Sequence, residues 1–130
     1  MSKSFRFQTS LKHARGFGSG KSGTAHFWQQ RVTGVAALLL SLVYVVLLVK
    51  LQGDDYGAVI ATLGNPFVAV LMLAFLGVSV WHMKIGMQVI IEDYVNQPLL
   101  RVLALMANSF FSALVGIASA VALIKITFGA

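Results

Sequence analysis

The residues that could do chemistry are concentrated in one segment, VWHMKIGMQVIIEDYVNQP, at positions 80–98. Inside an apolar run stand a histidine and a lysine, His82 and Lys84, and near its end stand a carboxylate and a phenol, Asp93 and Tyr94. Ionisable side chains are costly in hydrocarbon and usually mark function there. The segment therefore predicts a functional site inside a membrane and at one of its borders.

His82 supports two interpretations. A histidine within a helix can hydrogen-bond to a neighbouring helix, or it can ligate a metal or a haem iron. Gly86, one turn further on, would leave room for a flat macrocycle beside the helix. A low-spin b-type haem needs two axial ligands, but the other histidines, His13 and His26, belong to the N-terminal region. If haem binds, we expect the second ligand to come from another polypeptide.

The other polar residues of this segment also allow two interpretations each. Asp93 lies about 16 Å beyond His82 along a helix axis, with Tyr94 beside it. These two side chains either hydrogen-bond and protonate a quinone carbonyl, or cap and anchor the helix end. Lys84 points about 200° away from His82 around the helix. It either snorkels toward the headgroups or pairs with a buried anion.

Arg31 stands at the start of the first apolar run. It is either a positive-inside anchor at the membrane border or, together with His26, a partner for a haem propionate or a lipid phosphate. The residues alone leave both interpretations open.

The composition places the chain in the membrane class. Of its 130 residues, 58% are hydrophobic and only 11% are charged, and the mean hydropathy is +0.82. A soluble domain of this size could not cover so much apolar surface. The chain has no cysteine, which excludes cysteine-ligated iron–sulfur clusters, zinc–thiolate sites and thiol catalysis within it.

Three apolar segments predict an all-α membrane protein with three transmembrane helices. About 20 apolar residues cross a bilayer core, and we expect spans at about residues 28–50, 66–92 and 101–126. Asn65 and Pro66 form the pattern of a helix N-cap followed by the first helical residue. The loop before them is expected to hold a short interfacial helix.

The charge distribution predicts the topology and two regions. Six of the ten cationic side chains fall within the first 31 residues, and no acid precedes Asp54. Residues 1–27 are therefore interpreted as a basic cytoplasmic segment, in preference to a mitochondrial transit peptide, and residues 28–130 as the three-helix transmembrane domain. The C-terminus is then periplasmic, and Tyr94 lies on the cytoplasmic side.

A glycine-rich segment near the N-terminus does not match the phosphate-binding pattern that it resembles. GSGKSG at 18–23 looks like a phosphate-binding loop, but the first glycine of that pattern would fall on Arg15 and no buried strand precedes it. We interpret it as a flexible linker.

Ser112, Gly116 and Ala120, four residues apart, give the third span a small-residue stripe that another helix can approach closely, so partner subunits are expected.

Two segments together resemble a known family: HFWQQRVTGVA at 26–36 and HMKIGMQVIIEDYV at 82–95. They are similar to the hydrophobic membrane-anchor subunits of succinate dehydrogenase, respiratory complex II, of the cytochrome b-binding type with three spans. The pattern H-x-x-I-G-M-x-x-x-x-x-D-Y resembles the second-helix signature of that family. The likeness is greatest to the alphaproteobacterial form.

The resemblance implies a role for several residues. His82 would be an axial ligand of haem b, and Arg31 and His26 would lie near the haem propionates. Asp93 and Tyr94 would border the ubiquinone site. Lys84 is not part of the signature, so its role stays open.

The resemblance also implies partners. A companion three-helix cytochrome b subunit would supply the other haem ligand, and an iron–sulfur subunit and a flavoprotein subunit would complete succinate:ubiquinone oxidoreductase. This chain would not oxidise succinate alone. The expected location is the bacterial inner membrane, with the mitochondrial inner membrane as the alternative.

Two other functions remain open. One is a small transport or channel subunit with a proton path through His82, Lys84 and Asp93, although Ser79 is the only polar side chain between residues 66 and 80. The other is a structural anchor that binds no haem.

Overall fold

The computed structural model describes residues 23–129, which fold into four helices and contain no strand. In chain order these are α1 (Gly23–Lys50), α2 (Tyr56–Leu63), α3 (Pro66–Tyr94) and α4 (Pro98–Phe128). The helices α1, α3 and α4 are long and apolar enough to cross a membrane. The predicted all-α architecture with three membrane-spanning helices is confirmed.

The first helix begins earlier than the predicted span. It starts at Gly23 rather than near residue 28, so His26 belongs to α1. Predictions for the basic segment before this point, including His13 and nearly all of GSGKSG, lie outside the described residues. They stay predictions.

The local sequence explains where α2 and α3 begin. The side chain of Asn65 accepts a hydrogen bond from the backbone N–H of Phe67 at 2.9 Å, and Pro66 is the first residue of α3, as predicted. Asp55 caps α2 through the backbone N–H of Ala58, also at 2.9 Å. A short helix therefore does occupy the loop between the first two spans.

A tight connection turns the chain from α3 into α4. Pro98, which opens α4, has no backbone N–H to continue the preceding helix. The side chain of Arg101 donates through Nε to the carbonyl oxygen of Val95 at 2.8 Å, which ties the start of α4 to the end of α3. Neighbouring spans joined in this way run antiparallel.

The central helix of the fold is α3. It packs against α1 on one side and against α4 on the other, whereas α1 and α4 make no contact with each other in the part of the chain that the structure describes. The short α2 packs on α3 and α4. The three long helices thus form an open row, and many of their large apolar side chains are exposed to the surroundings. Lipid or partner helices must cover them.

The small-residue stripe of α4 is used within the chain. Ser112 is only 2% exposed, and a Cβ added at Gly116 would lie 3.4 Å from Cγ1 of Val80 on α3. The close approach that the stripe allows is therefore made by α3. At this position a partner subunit is not the helix that approaches.

Candidate functional site

His82 lies on the side of α3 that faces α1. Its Nδ1 is 2.9 Å from Oγ1 of Thr33 on α1. A Cβ added at Gly34 would lie 3.3 Å from Cε1 of His82, so the glycine lets the imidazole ring rest against the α1 backbone. A histidine hydrogen-bonded to a neighbouring helix, the first interpretation of His82, is thus present in the structure. Iron ligation is compatible with it, because the second ring nitrogen, Nε2, is not used by this bond.

Thr33 is a residue of this site that no sequence pattern indicated. It lies 49 positions before His82, and its hydroxyl also contacts the carbonyl oxygen of Gln29, one turn back on α1, at 2.6 Å. A threonine in a membrane helix commonly bonds back to its own helix, so its type alone gave no signal. Only the packing of α1 on α3 brings it to the histidine.

The space beside Gly86 is filled from α1. A Cβ added at Gly86 would lie 3.3 Å from Nε2 of Gln30. The amide of Gln30 thus lies in the space where a flat macrocycle is expected, and a haem there would require this side-chain end to move. The Oε1 of Gln30 is buried and has no hydrogen-bond partner among the described residues. An unsatisfied polar atom therefore lies one helical turn from His82.

Arg31 and His26 are exposed on α1. The guanidinium carbon of Arg31 lies 4.3 Å from the ring centroid of Phe27, one turn back. Arg31 is two residues from Thr33, about 3 Å along the axis, which brings it nearly level with His82. It points about 100° away from Gln30 around α1, so it flanks the contact between α1 and α3 rather than entering it.

Asp93 and Tyr94 end α3 and are exposed, Tyr94 at 80%. Around the helix axis, Asp93 points about 20° from the direction of His82, and Tyr94 about 120° from it. The carboxylate thus shares the α1-facing side with the histidine, and the phenol stands on a flank. This chain alone does not enclose either side chain.

Lys84 belongs to the opposite side of α3. Its Nζ lies 5.4 Å from the ring centroid of Trp81, and its carbonyl oxygen accepts a hydrogen bond from the side chain of Asn108 on α4 at 2.9 Å. Because Trp81 precedes Lys84 by about one turn, the ammonium is directed away from the Tyr94 end. Of the two interpretations of Lys84, snorkelling toward that end is not the conformation observed. A groove of about 280 Å³ beside it is lined by Ser109 and Ser112, among others.

The ligand set for a metal is incomplete in the described part of the chain. Within residues 23–129, no three His, Cys, Asp or Glu side chains come together as a metal-binding group. His82 can therefore contribute a single ligand atom, and an iron bound there needs further ligands from a macrocycle and another polypeptide.

Comparison with known proteins identifies the class. The family model described as succinate dehydrogenase/fumarate reductase transmembrane subunit matches residues 6–124. A succinate dehydrogenase hydrophobic membrane anchor subunit from Rickettsia bellii is 32% identical over 118 residues, which cover 91% of this chain and 94% of the relative. That of Paracoccus denitrificans is 32% identical over 89 residues, which cover 68% and 69%. No solved structure matches the chain.

Three membrane-crossing helices in an open row define an integral membrane protein that other helices must complete. The chain belongs to the succinate dehydrogenase/fumarate reductase transmembrane subunit family. The resemblance of its two sequence segments to succinate dehydrogenase membrane anchors is thereby confirmed, and a membrane-anchor role is supported.

Proposed function

We propose that this chain anchors a succinate:ubiquinone oxidoreductase in a bacterial inner membrane and contributes half of a haem b site and part of a ubiquinone site. Its relatives are named as the membrane anchors of succinate dehydrogenase. The observation that carries the proposal is His82: an imidazole inside a membrane-spanning helix, bonded to α1 through Nδ1, with Nε2 not used by this bond.

The described residues of this chain fit a haem in part. His82 would supply one ligand nitrogen to the iron, and Arg31, nearly level with it, would supply a cation for a propionate. The only other histidine of the described residues, His26, lies seven positions from Thr33, about 10 Å along α1, so it is not the second axial ligand. In our proposal a companion cytochrome b subunit supplies that ligand, and His26 lies near the haem propionates.

A haem bound there would supply one-electron storage. The chain's own residues do the rest of the work assigned to it. His82 holds its ring in a fixed orientation, and Arg31 offsets negative charge beside it. At the end of α3, Tyr94 donates a hydrogen bond to a quinone oxygen, and the carboxyl group of Asp93 borders the same site. Because both are exposed here, we infer that the companion and iron–sulfur subunits close the quinone site.

The charge pattern supports the orientation of this assembly. With the N-terminus cytoplasmic and the C-terminus periplasmic, the Tyr94 end of α3 faces the cytoplasm. The iron–sulfur and flavoprotein subunits then dock on the side where quinone is reduced. Both protons of quinone reduction are taken from that same side.

The transport alternative has less support. A proton path through His82 and Lys84 needs the two side chains to share a route through the membrane. His82 faces α1, whereas Lys84 lies beside Trp81 and the groove against α4. The body of α3 separates them, so we do not propose this function.

The test is a reduced-minus-oxidised absorption spectrum of the detergent-purified complex. We expect a b-type band in the wild type and its loss or weakening in His82→Ala. Ser79→Ala, which removes a polar group one turn away on the same helix, is the matched control and should keep the band. A wild-type complex that is active with quinone yet shows no band would mean that the chain is an anchor without haem.

A further inference from the structure

We infer that Thr33 is a positioning residue that fixes the tautomer and the orientation of His82, so that the unprotonated Nε2 is the nitrogen offered to iron. The inference rests on the proposed haem site. It concerns a residue on a different helix from the ligand, and the two are joined by one hydrogen bond of 2.9 Å.

The positions of the acceptors decide where the protons lie. A hydroxyl has one proton to donate and two lone pairs that accept. Oγ1 of Thr33 lies 2.6 Å from the carbonyl oxygen of Gln29, which can only accept, so the hydroxyl proton is committed to that bond. The contact between Oγ1 of Thr33 and Nδ1 of His82 is then a hydrogen bond only if Nδ1 is protonated and donates to Oγ1. A neutral imidazole protonated at Nδ1 has its free lone pair at Nε2, the form that binds a metal.

The opposite tautomer is disfavoured by the same two distances. If Nε2 carried the proton, Thr33 would have to turn its hydroxyl proton toward Nδ1. The 2.6 Å contact with Gln29 would then bring two oxygen lone pairs together with no proton between them. A flip of the ring is disfavoured too, because it would replace Nδ1 by a carbon and leave the hydroxyl without this partner.

Packing holds the ring in the bonded position. The edge of the imidazole formed by Nδ1 and Cε1 lies against α1, where a Cβ on Gly34 would be 3.9 Å and 3.3 Å from these atoms. Thr33 and Gly34 are adjacent, so one short stretch of α1 both bonds and contacts the ring. Histidines that bind metals generally donate their other ring N–H to a fixed acceptor, which sets ring orientation and ligand basicity. The Thr33 hydroxyl is that acceptor here, and its own bond to Gln29 polarises it further.

The experiment compares three substitutions at Thr33 in the purified complex. Thr33→Val keeps the shape and removes the hydroxyl, Thr33→Ala removes it without β-branching, and Thr33→Ser retains it. Ser41→Ala is the control, because Ser41 makes only a bond back to Leu38 on the same helix, at 2.7 Å. The measurements are the ratio of haem to protein, the haem midpoint potential and the low-spin electron paramagnetic resonance signal.

We expect Thr33→Val and Thr33→Ala to weaken haem retention about 10-fold or more and to raise the midpoint potential, because a less basic imidazole stabilises ferric iron less. Thr33→Ser and Ser41→Ala should behave as wild type. If Thr33→Val prevents assembly of the complex, the haem content and potential of Thr33→Ala decide the test.

Three results would separate the possible failures. Wild-type haem content and potential in the Val and Ala variants would overturn the inference and leave the haem site intact. Equal loss in Val, Ala and Ser would overturn it as well, since the hydroxyl retained in Thr33→Ser would then give no protection. A wild-type complex without haem would remove the proposed haem site itself, and with it the basis for a role of Thr33 in ligation.

Discussion

Gly34→Ala probes how firmly His82 is held against α1. The added Cβ would lie 3.3 Å from Cε1 of the ring, which is closer than ordinary van der Waals contact. The ring must therefore move by a few tenths of an ångström. It does not move freely, because its Nδ1 is bonded to Oγ1 of Thr33 at 2.9 Å on the same helix. The added Cβ of Gly34→Ala thus displaces the ring of His82, whereas the hydrogen bond to Thr33 holds the ring in place.

Two other glycines calibrate the expected effect. At Gly86 the added Cβ would also meet an atom at 3.3 Å, but that atom is the free end of the Gln30 side chain, which can move. At Gly77 no atom lies within 4 Å. Alanine is favoured over glycine inside a helix by about 0.5–1 kcal/mol, whereas overpacking costs about 1–3 kcal/mol. We expect Gly77→Ala and Gly86→Ala to be neutral or stabilising, and Gly34→Ala to be less stable than both by about 1–2 kcal/mol.

The assay is the thermal unfolding midpoint of the purified complex in detergent, with the haem absorption followed in the same sample. A difference of 1–2 kcal/mol changes the folded-to-unfolded ratio by a factor of about 5–30, so the three variants should separate. The haem band should shift only in Gly34→Ala. If Gly34→Ala instead unfolds at the same temperature as Gly77→Ala and keeps an unchanged band, the ring is not clamped by α1 and the reasoning fails.

Three further predictions address other parts of the molecule. Tyr94→Phe should slow quinone reduction about 2- to 10-fold, the value of one hydrogen bond, while reduction of an artificial acceptor by succinate is unchanged. Tyr56→Phe, at another exposed tyrosine, is its control, and an equal loss with both acceptors would exclude Tyr94 from the quinone site. Gly116→Leu should destabilise the complex by about 1–3 kcal/mol in thermal unfolding, because a Cβ at this position already contacts Val80 and the larger side chain must displace it; wild-type stability would contradict the α3–α4 packing described. Asn65→Ala should cost about 1 kcal/mol through the lost helix cap, whereas Asn65→Asp, which keeps an acceptor, should cost little.

Local chemistry made much of the fold predictable. Asn65 and Pro66 determine the start of α3. The Asn65 side chain accepts a hydrogen bond from a backbone N–H at that end, and Pro66 has no backbone N–H that would need a partner. Neither effect depends on the surroundings of the helix. The start of α1 was predicted near residue 28 but lies at Gly23. Hydropathy marks the part of a helix that lies in hydrocarbon, and a helix can continue into polar sequence beyond it.

The site was predictable only in its residue types. His82 was identified because a titratable group in an apolar run is unusual, and this needs no partner to be seen. Thr33 and Gln30 were missed, because their contacts with His82 and Gly86 depend on how α1 is placed along α3. Sequence spacing within one helix fixes directions around its axis, but it does not fix the register between two helices.

The two α1 residues that hold the imidazole, Thr33 and Gly34, belong to the same polypeptide as His82 and precede it. In order of synthesis, α1 enters the membrane first, α3 follows it, and α4 comes last. The bond and the packing that orient the ring are therefore complete once the second span has been inserted beside the first. Neither waits for α4, since α4 packs on the other side of α3. Both contacts that orient the histidine lie within this chain, so neither requires a companion subunit.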